Sequence, residues 1–134
     1  MAYPTGWRTS KSDPGTVSEV LESGRGRLVG YLNLTPRTPN ERLADWPRFR
    51  VAHNGEDNDR QVRALAARGG LRFATGTGSC VRDSYITTSA ARYIEIACLV
   101  VGARSGVVIV VAAPPTEWHR LAPQFERVVE SVRT

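Results

Sequence analysis

Hydrophobic and polar positions alternate with period two through RLVGYLNL (27–34), where Leu28, Gly30, Leu32 and Leu34 share one side and Val29, Tyr31 and Asn33 the other. This is the pattern of a half-buried strand. A weaker alternation in TVSEVL (16–21) precedes it, and ESGRG between them reads as a hairpin turn. The first fifteen residues carry Pro4, Gly6, Pro14 and Gly15 around Trp7 and read as a loop whose indole covers the core edge.

Downstream, Thr38, Pro39 and Glu41 supply an N-cap, an N1 proline and an N3 acid, predicting a helix from Pro39 that breaks or kinks near Pro47. HNGEDND (53–59) reads as an exposed loop. DRQVRALAAR (59–68) reads as a second helix, with Val62, Leu65 and Ala66 on one face and Gly69 and Gly70 ending it.

From Leu71 the period changes to that of strands: LRFATGTG with a glycine-rich interruption, SCVRDSYIT, then RYIEIACLVV. After a turn at GARSG, VVIVVAA (107–113) is a continuous apolar run, as in a strand buried on both faces. In the last segment Trp118, Leu121, Phe125, Val128 and Val132 form a helical stripe, which Pro123 must kink or divide. The expected fold is α+β: a single antiparallel sheet flanked by helices, an α/β/α sandwich with a long C-terminal helix. A chain of 134 residues fits one domain over 1–134, of which 1–15 is loop-like.

Cys80 and Cys98 are the two cysteines. If the strands around them form a hairpin centred on Ser89, Cys80 lies opposite Cys98, Asp83 opposite Glu95 and Tyr85 opposite Tyr93. Both sulfurs then share a face with Ile86, Ile94, Ile96 and Val100, and the acids and tyrosines share the other. Opposed residues at a non-hydrogen-bonded site have Cα atoms about 4.5 to 5.5 Å apart, near the range a disulfide tolerates. A structural disulfide is the preferred reading. Two free buried thiols are the alternative, with a redox or metal pair behind, since there is no C-x-x-C spacing and only His53 and His119 to complete a site. Stable disulfides persist mainly outside the reducing cytosol, so the preferred reading also favours export.

Asp83 and Glu95 are the candidate catalytic residues, because like charges held close raise one pKa and paired carboxylates can do acid/base work or hold a cation. Tyr85 and Tyr93 are candidate binding residues on the same face. The structural alternative is a solvated face on which the acids pair with Arg82, Arg92 or other arginines. His53, Glu56, Asp57 and Asp59 lack the residue order of a calcium loop and read as a solvated turn. GTGS (76–79) lacks a lysine and a strand-to-helix setting, so a bulge or hairpin kink explains it better than a phosphate cradle. Ser79, Ser84 and Ser89 have no G-x-S-x-G context. No metal site and no cofactor is expected. Trp7, Tyr31, Trp46, Phe49, Trp118 and Phe125 read mostly as core, some lining a pocket between helix and sheet, where a small apolar ligand would sit.

The net charge of +5 is almost all arginine, with Lys11 the one lysine, and the arginines are scattered through every segment. Nucleic-acid binding needs the charge gathered on one face, so none is expected. No apolar run approaches the roughly 18 residues of a membrane span. MAYPTGWRTSKSDPG lacks the features of a secretory signal. The chain is therefore cytosolic, or an export segment, lipid anchor included, lies upstream of Met1.

The early Gly6-Trp7, the strand with GYLN, the central helical region, ARYIEIACLVVG (91–102), GVVIVVAAPPTEW (106–118) and a last helix ending FERVVESVR resemble, in that order, the Mog1/PsbP-like α/β/α sandwich superfamily. That superfamily includes photosystem II extrinsic subunits and many small actinobacterial exported proteins and lipoproteins. The resemblance implies an extracytoplasmic, non-enzymatic binding or accessory domain whose partner is a protein or a small apolar ligand. It carries over no catalytic residues, and the two cysteines are not part of its general pattern. The rival readings are a small enzyme with a pocket on the sheet, in a cystatin-like or NTF2-like cone and using Asp83 and Glu95, and a cytosolic protein-interaction domain.

Overall fold

A computed structural model describes residues 6–134. Pro4 of the early loop lies outside them. Seven strands form one antiparallel sheet: β1 (Arg8–Ser10), β2 (Val17–Glu22), β3 (Leu28–Pro36), β4 (Arg60–Phe73), β5 (Gly76–Ile86), β6 (Arg92–Gly102) and β7 (Gly106–Ala113), in the spatial order β1-β2-β3-β7-β6-β5-β4. Two helices, α1 (Trp46–Glu56) and α2 (Pro115–Glu130), pack on opposite faces. This is the expected α+β sheet flanked by helices.

The apolar run becomes β7, the central strand, whose last six residues are all buried. Its alternate side chains serve both faces. Ile109 and Val111 join Leu32, Cys98, Val100 and the α2 residues Trp118, Leu121, Phe125, Val128 and Val129. Val108 and Val110 join Trp46, Val81, Ala97 and Leu99 under α1. Two apolar layers on one sheet are what a continuous run, rather than an alternating one, specifies.

The C-terminal stripe packs as its period demands, with Val132 buried just past the helix end. The helix continues through Pro123 and is not divided there. Trp7 closes the far end of this core, stacking edge-on against Phe125 with ring centroids 5.8 Å apart. The segment read as loop around it also contributes β1, a three-residue edge strand on β2.

Two helix expectations are corrected. Thr38 and Glu41 do make the capping contact, the Thr38 backbone N–H donating to Glu41 Oε1 at 2.6 Å, but they close a turn, not a helix. A short 3₁₀ turn follows at Leu43–Asp45, and α1 starts at Trp46, so Pro47 opens the helix instead of breaking it, since its missing N–H is harmless in the first turn. The helix then runs to Glu56, through half of the segment read as a loop.

Residues 59–68 are the larger correction: from Arg60 onward they belong to β4, and none of them is helical. Ala, Leu and Arg favour helix, but pairing along β5 overrides that preference. Three register shifts, at Arg60/Arg63, Ala64/Ala66 and Arg68/Leu71, each give β4 an extra residue relative to β5. Every extra residue reverses which side chains face which way, so no period of two survives in the sequence. Positive φ at Gln61 (51°) and Gly70 (65°) accompanies two of these shifts.

Candidate functional site

The hairpin register is that read from the sequence. Cys80 pairs with Cys98, Asp83 with Glu95 and Tyr85 with Tyr93, around a loop at 87–91 in which the Thr87 N–H donates to the Ala91 carbonyl. Cys80 and Cys98 are joined in a disulfide, their Cα atoms 4.1 Å apart. Cys98 is fully buried on the α2 face and Cys80 lies at its margin.

On the other face, Asp83 and Glu95 are both 0% exposed, so the solvated surface given as their structural alternative is not what the fold makes. Their partners come from α1, not from Arg82 or Arg92. Trp46, Arg50 and Asn54 recur at i, i+4 and i+8 and so project from one side of α1 onto the sheet. Trp46 is fully buried and its indole N–H donates to the Ala97 carbonyl at 3.0 Å. Arg50 grips Glu95 with two nitrogens, Nε to Oε2 at 2.8 Å and Nη2 to Oε1 at 3.2 Å. Asn54 Nδ2 donates to Asp83 Oδ2 at 3.0 Å and to Glu95 Oε2 at 3.3 Å. Asp83 Oδ1 is buried with no hydrogen-bond partner.

Two carboxylates and one guanidinium leave this cluster short of positive charge. Burial, then the neighbouring charge of Glu95, pushes the Asp83 carboxyl up to about 7, with Arg50 and Asn54 opposing. Burial, again followed by Glu95, holds the Tyr85 phenol well above the usual tyrosine range. Arg50 loses hydration, but the Glu95 carboxylate more than offsets this and raises its pKa. A buried acid half-protonated near neutrality is chemically competent for proton transfer. Access is the obstacle, since a substrate reaching Asp83 would have to displace α1. Tyr85 and Tyr93 lie beside the acids, half-buried, their rings tilted by 37° with centroids 6.1 Å apart.

Arg50 and Asn54 escaped sequence reading because α1 was not read through them. The signal was present as the Trp46, Arg50, Asn54 spacing.

The two helices are offset across the sheet. α2 packs on β7, β6 and β3, and α1 extends over β5 and β4. Each face therefore keeps an open half. On the α1 face a polar groove of about 350 Å³ runs along β3, lined by Tyr31, Asn33, Thr38, Glu41, Arg50 and His53. On the α2 face two adjoining hollows of about 410 and 270 Å³ lie between β4 and α2. The disulfide forms part of their floor with Leu71 and Ile96, Arg68 and Arg82 stand on the sheet side, and Glu126 and Glu130 on α2. Ser79 is buried within β5, and GTGS is the start of that strand. His53 lies 3.4 Å from Asp57 and stacks on Phe49 with ring centroids 6.3 Å apart, and among the described residues no three His, Cys, Asp or Glu side chains gather around a common point.

No described helix is long and apolar enough to cross a membrane. No family model and no curated protein matches the chain. Among solved structures it is similar to PA94 of Pseudomonas aeruginosa, a protein of unknown function, at TM-score 0.70 and 10% identity over 98% of this chain and 88% of that one. It is also similar to cyanobacterial PsbP (CyanoP) from Synechocystis sp. PCC 6803, at TM-score 0.67 and 16% identity over 96% of this chain and 82% of that one. LpqN of Mycobacterium tuberculosis, involved in cell envelope biogenesis, gives 0.47 and 12% over 91% and 74%. The chain has the Mog1/PsbP-like fold.

Proposed function

We propose that this protein is a non-enzymatic binding or accessory domain that works outside the cytoplasm. The observation that carries the reading is the pairing of a Cys80–Cys98 disulfide with an acid pair sealed beneath α1. A disulfide of this kind persists in oxidising compartments. The acid pair Asp83 and Glu95 is fastened by Arg50 and Asn54 and covered, while the open groove along β3 offers the Thr38 hydroxyl on Glu41 at 2.9 Å, a turn-closing contact in which the same carboxylate oxygen also accepts from the Thr38 N–H. The partner is a protein or a small apolar ligand, met at an open half of the sheet. A lipid anchor or export segment upstream of Met1 would deliver the domain.

The test is fractionation of native cells with thiols trapped at lysis. The protein is expected in the extracytoplasmic fraction with both cysteines resistant to alkylation until reduced. Recovery in the cytosol with two alkylated thiols overturns the reading.

A further inference from the structure

We infer that the free edge of β4 is a docking strand for an extended acidic segment of a partner protein, which adds to the sheet as an eighth strand; this rests on the binding-domain reading above. β4 ends the strand order, so it has a neighbour on one side only and offers an unpaired row of backbone donors and acceptors on the other. At fourteen residues it is the longest strand of the sheet, and it is exposed over most of its length. Edges are commonly guarded by being short, bulged or charged. This one has bulges and charge but not shortness. Leu65, 45% exposed, is the one large hydrophobic left in the open among the described residues.

Along β4 the charge is of one sign, with Glu126 and Glu130 facing it across the hollows from α2. Arg60, Arg63, Arg68 and Arg72 lie on β4 with no acid among them, and Arg82 adjoins from β5. None of the five is in an ion pair or side-chain hydrogen bond among the described residues. Five of the seventeen arginines thus lie at or beside this edge, four of them on one strand. Arg63 is paired with Ser84, Arg68 with Cys80 and Ala66 with Arg82, and these register positions place Arg63, Arg68 and Arg82 on the α2 face, above the open hollows.

The edge itself selects the occupant. A second copy pairing β4 against β4 would set arginines against arginines, a destabilising arrangement across strands. A nucleic acid would use the charge but not the backbone row, and single-stranded recognition stacks bases on exposed aromatic rings, whereas the one aromatic of β4, Phe73, packs into the α2 core. An extended peptide uses everything present. Its backbone pairs with β4, its acids meet the arginines, and alternate apolar side chains reach Leu65 and the Leu71 hollow.

The test is amide NMR of the intact, oxidised protein titrated to millimolar concentration with an octapeptide of alternating Glu and Val. The same octapeptide N-methylated at alternate residues, its Lys/Val counterpart and an oligouridylate are titrated in parallel. The Glu/Val peptide is expected to shift β4 amides between Arg60 and Phe73 and to slow their exchange. N-methylation should abolish this, and R68E/R82E, both at exposed positions, should weaken it at least tenfold. Three results overturn the proposal: no shift confined to β4, unchanged affinity in R68E/R82E with the disulfide intact, or oligouridylate binding the edge more tightly than the peptide. Any of these in a protein found oxidised outside the cytoplasm removes the docking edge and leaves the compartment reading standing.

Discussion

Arg50 on α1 holds Glu95 on β6 through two nitrogens, at 2.8 and 3.2 Å, and this pair fastens the helix to the sheet over a fully buried carboxylate. Removing one partner of such a pair leaves the other charged and unsatisfied, typically at 3–5 kcal/mol. Because the Arg50 side chain keeps 16% of its exposure, we expect Arg50→Met to destabilise by about 3 kcal/mol in urea titration, toward the low end of that range. The double variant R50M/E95Q should recover more than half of the loss. A single variant as stable as wild type would show that α1 is held by Trp46 packing alone.

Asp83 sets a pH dependence of definite sign. Its folded pKa, about 7, lies above the usual carboxylate value, so the folded state keeps a proton that the unfolded chain gives up. Its contribution is therefore fully present below the unfolded pKa near 4 and is lost as pH rises through about 7. Asp83→Asn cannot ionise. The stability of D83N relative to wild type should rise between pH 4 and pH 8, measured by denaturant titration at each pH, and a difference independent of pH would contradict the burial-driven shift.

The disulfide closes a span of eighteen residues, a loop worth about 3 kcal/mol on the chain-entropy account. The β5–β6 ladder already brings Cys80 and Cys98 together, so C80A/C98A should lose less, about 2 kcal/mol. The loss is measured against oxidised wild type, with reduced wild type as the control expected to match the variant. Loss of the fold on reduction would mean that the hairpin does not form without its bridge.

At Gly30 the sheet lies close against Trp7. A Cβ there would lie 2.9 Å from Trp7 Cη2 and 3.2 Å from Leu121 Cδ1. Gly30→Ala should displace the indole, cost about 1–3 kcal/mol as overpacking does, and shift tryptophan emission to the red. Unchanged emission would place Trp7 elsewhere.

How much was legible follows from where the chain keeps a constant phase. Between Gly76 and Gly102 the β5–β6 register never shifts, so counting outward from Ser89 placed the cysteines, acids and tyrosines correctly. In β4 three extra residues scramble the alternation, and a composition rich in Ala and Arg then argued for helix. α1 was hidden for another reason. Its sheet-facing positions include Arg50 and Asn54, polar residues that are buried because Glu95 and Asp83 await them, and hydrophobic periodicity is blind to a side chain whose partner lies 29 to 45 residues away. The disulfide was legible through the cysteine register, while the arginine edge appears only when β4 is known to be a strand.

The bridge between Cys80 and Cys98 lies in the floor of the hollow beside β4, with Cys80 at its margin. Thiol–disulfide exchange requires an attacking thiolate to reach a sulfur atom. A molecule seated in that hollow covers the sulfurs, so the rate at which a small reductant opens the bridge is a clock that slows with occupancy. The molecule thus carries its own reporter, which can be read by mass without attaching a label.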